Sequence, residues 1–145
     1  MSPVTPPANR PAWERTAPSP FCIATCFFPE SEAPEIPGPV LRPALIYAVE
    51  ANAARDKFAC HVAFGTTKLK IAQRGDLDLI IQNAADLAFL NLPRATRFDL
   101  DKTGRLPWAE KYFGVWRGHT TPVLGHLTEP YVKAFAWGMF KRSQS

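Results

Sequence analysis

Short apolar runs separated by proline, glycine and polar turns follow one another along most of the chain. Runs of about four to eight residues without a helical period are typical of β-strands. Six strands are therefore predicted, at residues 21–28, 44–49, 60–64, 77–82, 96–100 and 112–116. The fifth alternates regularly, with Thr96, Phe98 and Leu100 on one side and Arg97 and Asp99 on the other, and residues 101–104 are predicted to turn after it.

Two helices are predicted in the second half of the chain. Asn83 can cap a short helix that runs to Leu90, with Asp86 in the capping-box position. Thr128 can cap a C-terminal helix, which tolerates Pro130 in its first turn. The apolar stripe of this second helix consists of Val132, Phe135, Ala136, Met139 and Phe140. Short strands with one terminal helix predict a mostly β fold with short helices, an α+β small barrel.

Proline is concentrated at the beginning of the chain, where eleven of the fifteen prolines lie at or before Pro43. Residues 1–20 contain six of them and no apolar period, which favours a flexible, polyproline-like arm before a folded domain at residues 21–145. The alternative is that the arm docks on the body with Trp13 as its anchor. Residues 31–41 are predicted to form a long proline-rich loop.

Composition and charge narrow the classes of function. A chain of 145 residues is large enough for one core, and its net charge is +4. Residues 1–41 hold two arginines and four glutamates, a charge of −2, so the remainder carries +6, which suits a phosphate-rich partner. No apolar run approaches the ~18–20 residues of a membrane span, and the start lacks the apolar centre of a signal peptide. The sequence therefore predicts a cytoplasmic protein without a membrane partner.

The cysteine pattern gives no strong sign of a disulfide framework or a metal site. The three cysteines, Cys22, Cys26 and Cys60, are an odd number and lack zinc-type pair spacing. His61 follows Cys60, so a metal site at these residues is the alternative. The sequence predicts neither metal nor cofactor.

The dipeptide Arg42-Pro43 begins the second apolar run. Proline favours extended geometry in the residue before it, so Arg42 is predicted at the mouth of a strand. A permanently charged guanidinium there needs an anion, a carboxylate or solvent. The next strand ends in Gly65, Thr66 and Thr67, with Lys68 following. These segments predict a small phosphate-handling site at the end of a β-sheet, and the alternative is that Arg42 is a solvated or salt-bridged edge residue.

The order of RPALI, VAFGTT and ATRFDL resembles the MazF/PemK toxins, which are small endoribonucleases of toxin–antitoxin pairs. The resemblance covers residues 21–127 and implies an SH3-like β-barrel, a homodimer, an acidic antitoxin partner and metal-independent cleavage of single-stranded RNA. Arg42 matches the arginine of the family's RPxL(I/V) motif. Thr66 matches the threonine that closes the next strand, with Thr67 as the alternative. The chain departs from the family before Arg42, where the proline-rich residues 29–41 carry Glu30, Glu32 and Glu35.

The resemblance makes Arg42 and Thr66 the predicted catalytic residues. When RNA is cut by its own 2′-hydroxyl, a phosphorane with extra negative charge must be stabilised, and the forked donors of a guanidinium suit that task. Thr66 can donate to a phosphoryl oxygen or orient Arg42. Neither is a good general base at neutral pH, so His119 and His61 are candidates for that role.

RNA binding needs cations for phosphates and flat faces for bases. The predicted RNA-binding residues are Thr67, Lys68, Lys70, Arg94, Arg97 and Trp108. Two of them have structural alternatives, since Trp108 can pack in the core and Arg97 can pair with Asp99 or face solvent.

A rival function uses the same barrel as a catalytically silent module that binds nucleic acid or protein. The acidic loop before Arg42 supports this reading, because its glutamates can block a cationic groove. In an active enzyme the same glutamates would act as a built-in brake.

Overall fold

Six antiparallel strands form one sheet in the computed structural model, which describes residues 10–29, 33, 36–69 and 78–144. The strands are β1 Cys22–Phe27, β2 Leu41–Ala51, β3 Phe58–Thr66, β4 Leu79–Ile81, β5 Thr96–Pro107 and β6 Val123–His126. Their order across the sheet is β4-β5-β3-β2-β1-β6, and the sheet curls into a half-barrel. The predicted mostly β class, a small α+β barrel with a C-terminal helix, is confirmed.

Both predicted helices are present. Helix α1 spans Ala84–Phe89, and the Asn83 side chain accepts hydrogen bonds from the amides of Ala85 and Asp86 at its start. The Asp86 carboxylate accepts instead from the Tyr131 hydroxyl at 2.5 Å, which ties α1 to the C-terminal helix. That helix, α2, spans Glu129–Ser143 with Pro130 in its first turn, but the Thr128 side chain makes no capping hydrogen bond.

Each face of the sheet carries its own apolar core. Helices α1 and α2 cover one face, where Leu45, Phe98 and Phe135 belong to the same cluster. The other face is covered by residues 108–113 and packs Ile46, Val62 and further buried side chains. A strand buried on both faces shows a continuous apolar run rather than an alternating one, which is the pattern of residues 44–46. Full burial of one such side chain contributes roughly 1.5–3 kcal/mol.

One predicted turn and one predicted strand are wrong. Residues 101–104 do not turn, because β5 continues through them to Pro107. In the ladder between β3 and β5, Ala63 pairs with Thr103, whereas the next residue, Phe64, pairs with Asp99. The residues of β5 between these two pairs form a bulge, so the polar stretch stays within the strand. Residues 112–116 form no strand and contribute a single bridge from Phe113 to Cys26, because the Phe113 amide bonds to the Ala109 carbonyl in a turn.

The described part of the N-terminal segment is docked on the body. The ring centroids of Trp13 and Trp108 are 4.8 Å apart, and the Trp108 indole nitrogen donates to the Trp13 carbonyl oxygen at 2.8 Å. The Glu14 carboxylate, almost buried, accepts from the Glu110 amide at 2.8 Å and pairs with Arg10. Residues 10–20 thus take the docked alternative with Trp13 as the anchor.

Some predicted features fall outside the described residues. They are Lys70 and the glutamates of the proposed brake, Glu30, Glu32 and Glu35. Among the helices that are described, none has the length and apolar character needed to cross a membrane.

Candidate functional site

A cleft opens where the ladder between β2 and β3 ends. The last pair of that ladder is Ala44 with Phe64, and the next residue of β2, Pro43, has no amide hydrogen with which to extend it. Continuing the register by two residues on each strand sets Arg42 opposite Thr66. Here Arg42 pairs with β1 and Thr66 with β5, so the backbone of each residue is held by a different neighbouring strand.

The cleft has a volume of about 370 Å³. It is lined by Arg42, Pro43, Gly65, Thr66, Thr67, Lys68, Pro93, Arg94, Thr96 and Trp116. Five of the predicted site residues are therefore brought together, namely Arg42, Thr66, Thr67, Lys68 and Arg94. Their catalytic and RNA-binding roles stay predictions.

Gly65 allows β2 and β3 to approach closely beside the cleft. A Cβ at this position would lie 2.4 Å from the Pro43 carbonyl oxygen and 3.0 Å from a ring carbon of the buried Phe98. Neither neighbour is the end of a flexible side chain, so a larger residue would push the two strands apart.

Gly65→Ala is expected to lower the free energy of unfolding by about 1–3 kcal/mol, the usual cost of overpacking a well-packed site. Urea unfolding measures this loss. Gly104→Ala is the matched control, because a Cβ at Gly104 has no atom within 4 Å and its stability should stay within about 0.5 kcal/mol of the parent. Equal stability of the two variants would contradict the close approach.

Arg42 is exposed and lies against an aromatic ring. Its guanidinium carbon is 5.8 Å from the centroid of the Phe64 ring, which itself packs on Phe28 at 3.8 Å between centroids. Within residues 10–29, 33, 36–69 and 78–144, no carboxylate is in ion-pair distance of Arg42. A guanidinium held by its face keeps its edge donors for an anion.

The turn after β3 is closed by Thr66 itself. Its hydroxyl oxygen accepts from the Lys68 amide at 3.1 Å, so its hydroxyl hydrogen remains available to another acceptor. Thr67 and Lys68 are exposed beside it. This arrangement suits donation to a phosphoryl oxygen, the role that the sequence predicted for Thr66.

Arg97 does not face the cleft as an RNA-binding cation. Its side chain is only 4% exposed, and it donates to Asp78 Oδ2 at 2.8 Å, with Asp99 at 3.6 Å. Its Nε donates to the Lys68 carbonyl oxygen at 2.9 Å. The predicted RNA contact of Arg97 is therefore wrong, because its side chain is buried and its charge is paired with carboxylates. The alternative, an ion pair with Asp99, is present, although Asp78 is the nearer partner.

The aromatic residue of the cleft is Trp116 rather than Trp108. Trp108 is 3% exposed, packs against Phe113 and Trp13, and donates its indole hydrogen to backbone carbonyls, so its predicted role in base stacking is wrong. Trp116 is half-buried and lines the cleft. The sequence analysis did not predict Trp116 as a site residue. The one local indication was that Arg117 and Gly118 follow it, which places an aromatic side chain next to a cation in a loop.

Neither candidate histidine lines the cleft. His61 Nε2 is hydrogen-bonded to Glu50, which also binds Arg105 in a two-pronged pair at 2.9 and 3.0 Å. Hydrogen bonds from Arg105 and then from His61 lower the pKa of the Glu50 carboxyl to about 2. His119 donates its amide to the Trp116 carbonyl in a neighbouring loop, but its side chain is not part of the cleft wall.

Among the described residues, the acidic cluster and the cysteines that could ligate a metal have other roles in the fold. Asp78, Asp99 and Asp101 have carboxylate oxygens within 4.8 Å of one another, but Arg97 pairs with the first two of these residues and Arg142 with the first and third. The three cysteines lie in the apolar core, where burial raises the pKa of Cys22 and Cys26 to about 12 and that of Cys60 further. Burial thus favours the neutral thiol over the thiolate that metals bind.

Comparison with protein-family models gives no match, and no curated protein matches the chain.

Proposed function

We propose that the protein is a metal-independent endoribonuclease of the MazF/PemK type, which cuts single-stranded RNA as the toxin of a toxin–antitoxin pair. The observation that carries the proposal is the cleft at the end of the β2–β3 ladder, which is lined by Arg42 and Thr66 together with Lys68 and Arg94. The short motifs that resemble the family supply these two residues from two separate strands. The proposed reaction requires both residues at one phosphate, and both line the same cleft.

In the proposed reaction the RNA supplies its own nucleophile. The 2′-oxygen forms a bond to the adjacent phosphorus, and the bond from phosphorus to the 5′-oxygen breaks, which leaves a 2′,3′-cyclic phosphate and a 5′-hydroxyl. The 2′-hydroxyl loses a proton and the leaving 5′-oxygen gains one. Arg42 donates to the non-bridging oxygens, on which negative charge grows in the transition state, and Thr66 adds a further donor.

The remaining side chains of the cleft suit a single-stranded nucleotide chain. Lys68 and Arg94 are exposed cations that can neutralise neighbouring phosphates. Trp116 offers an aromatic face, and base stacking of this kind contributes roughly 1–3 kcal/mol per base. A duplex buries its bases in the stack, so this combination favours single strands.

Incubating the purified protein with a long RNA, with and without EDTA, tests the proposal. We expect discrete fragments in both samples, with 2′,3′-cyclic phosphate ends or their hydrolysis products, because the described lining residues include no metal-ligating carboxylate, cysteine or histidine. Cleavage that stops on chelation would remove the mechanism. RNA left intact at high protein concentration would remove the enzyme.

A catalytically silent binding module on the same barrel is the second candidate. It is favoured by one observation, that the ten described lining residues include no histidine, aspartate or glutamate to accept the 2′-hydroxyl proton. In the enzyme this proton would pass to solvent. Binding of RNA without cleavage in the same assay identifies the module.

The proposal extends to partners and location. A cytoplasmic homodimer with an acidic antitoxin is supported by the charge of +6 on residues 42–145 and by two exposed aromatic residues of α2. Trp137 is 56% exposed and Phe140 is 51% exposed, and their rings are 5.9 Å apart. A cationic cleft of this kind attracts acidic peptides as well as RNA.

A further inference from the structure

A continuous chain of hydrogen bonds connects the C-terminal helix with the candidate cleft. It begins at Arg142 in the last turn of α2, whose Nη2 donates to Asp78 Oδ1 at 2.7 Å. The other oxygen of Asp78 accepts from Arg97 Nη1 at 2.8 Å. Arg97 Nε then donates to the Lys68 carbonyl oxygen at 2.9 Å, and the Lys68 amide donates to Thr66 Oγ1 at 3.1 Å.

The middle of this chain is removed from solvent. The Asp78 side chain has no exposed surface, Arg97 is 4% exposed and Arg142 is 10% exposed. Asp78 Oδ1 also accepts from the Leu100 amide at 3.1 Å, so both carboxylate oxygens are held in place. Buried, fully partnered ions of this kind have one arrangement of low energy, because losing any partner leaves a charge without solvation.

The geometry of Arg97 explains why an arginine is needed at this position. A guanidinium is planar and carries its donors in a fixed fork, so one side chain can bind the Asp78 carboxylate and the Lys68 carbonyl at the same time. A lysine can satisfy the carboxylate but has no rigid second donor. Arg97 therefore does more than neutralise Asp78, because it also fixes the backbone of the turn that carries Thr66 and Lys68.

We propose that the Asp78–Arg97 pair is the positioning device of the cleft, and that Arg142 couples the docking of α2 to the Thr66–Lys68 turn. Arg97 is then a positioning residue, which acts through the Lys68 carbonyl and contacts no substrate. The consequence for reaction rate rests on the proposed ribonuclease function, whereas the consequence for the rigidity of the turn does not.

Arg97→Lys tests the inference by two readouts. Backbone ¹⁵N order parameters at residues 66–68 should fall from the rigid value of about 0.85 towards the flexible range below about 0.6. With RNA as substrate, kcat should fall on the order of tenfold, the equivalent of about one hydrogen bond, while KM stays within about twofold. Arg105→Lys is the matched control, because Arg105 is exposed, pairs with Glu50 and lies outside the network, and it should change neither readout.

Arg142→Lys probes the coupling to the helix and serves if Arg97→Lys does not fold. It keeps the charge beside Asp78 and Asp101 but cannot contact both with one rigid fork, so residues 66–68 should loosen by a smaller amount. Order parameters at residues 66–68 that stay at the wild-type value in both variants would overturn the inference, whatever happens to the rate. A loosened turn in a protein that never cuts RNA would support the positioning device and reject the ribonuclease.

Discussion

Replacing Arg42 with alanine is expected to lower the maximal rate of RNA cleavage on the order of 10²–10³-fold, the usual cost of losing one electrostatic donor to a transition state. The charge it serves grows only as the phosphorane forms, so the loss should appear in kcat. Affinity for a non-cleavable 2′-deoxy oligonucleotide should fall far less, because Lys68 and Arg94 remain in the cleft. Single-turnover cleavage and fluorescence anisotropy measure the two quantities.

A second arginine deletion shows whether the slower cleavage comes from the loss of Arg42 in the cleft or from the lower net charge of the protein. Arg105→Ala also removes one exposed arginine, but its partner is Glu50 and it does not line the cleft, so its cleavage rate should equal that of the parent. Circular dichroism should show both variants folded, since Arg42 is exposed and its guanidinium lies over the Phe64 ring at the surface. An Arg42→Ala protein that is folded and cuts at the parental rate would contradict the proposed role.

The central strands could be predicted from the sequence because their signal is local. Residues 44–46 are apolar without interruption since both faces of β2 are buried, and the regular alternation of residues 96–100 marks the start of β5. The errors arose where long-range pairing overrides local composition. The polar stretch at residues 101–104 resembles a turn, but pairing with Val62 and Ala63 keeps it in β5. The aromatic stretch at residues 112–116 resembles a strand, but it is held in a turn against the second core.

The candidate site could be predicted only in part, for the same reason. Arg42 and Thr66 were predicted from the ends of two apolar runs together with the resemblance to the MazF/PemK motifs, and the antiparallel pairing of β2 with β3 brings these ends to one cleft. Trp116 comes from a loop fifty residues beyond Thr66, and no local pattern links the two segments. Arg97 was predicted to bind RNA because it clusters in the sequence with Arg94 and Arg105 around the fifth strand. Its partner Asp78 is 19 residues away, and only the fold shows that the pair is buried.

The largest effect on stability is expected from Asp78→Ala, which should lower the free energy of unfolding by about 3–5 kcal/mol. The substitution leaves the guanidinium of Arg97 buried, and among the described residues Asp99 at 3.6 Å is then the one carboxylate left to pair with it. It also removes the acceptor of the Leu100 amide. A domain of this size has a total stability of about 5–15 kcal/mol, so a large share of it would be lost. Urea unfolding followed by tryptophan fluorescence measures the change.

Asp101→Ala is the control that shows whether the cost of Asp78→Ala comes from the burial of the Asp78 side chain. Asp101 also pairs with Arg142, at 2.8 Å, but its side chain is 53% exposed, so water can replace the interaction. Its loss should therefore cost about 1 kcal/mol or less. If the two aspartates cost the same, burial of the Asp78–Arg97 pair is not what holds β4, β5 and α2 together. If Asp78→Ala lowers the free energy of unfolding several times more than Asp101→Ala, the network that fixes the cleft also stabilises the fold. Substitutions that loosen the Thr66–Lys68 turn through this network should then lower the stability of the whole domain as well.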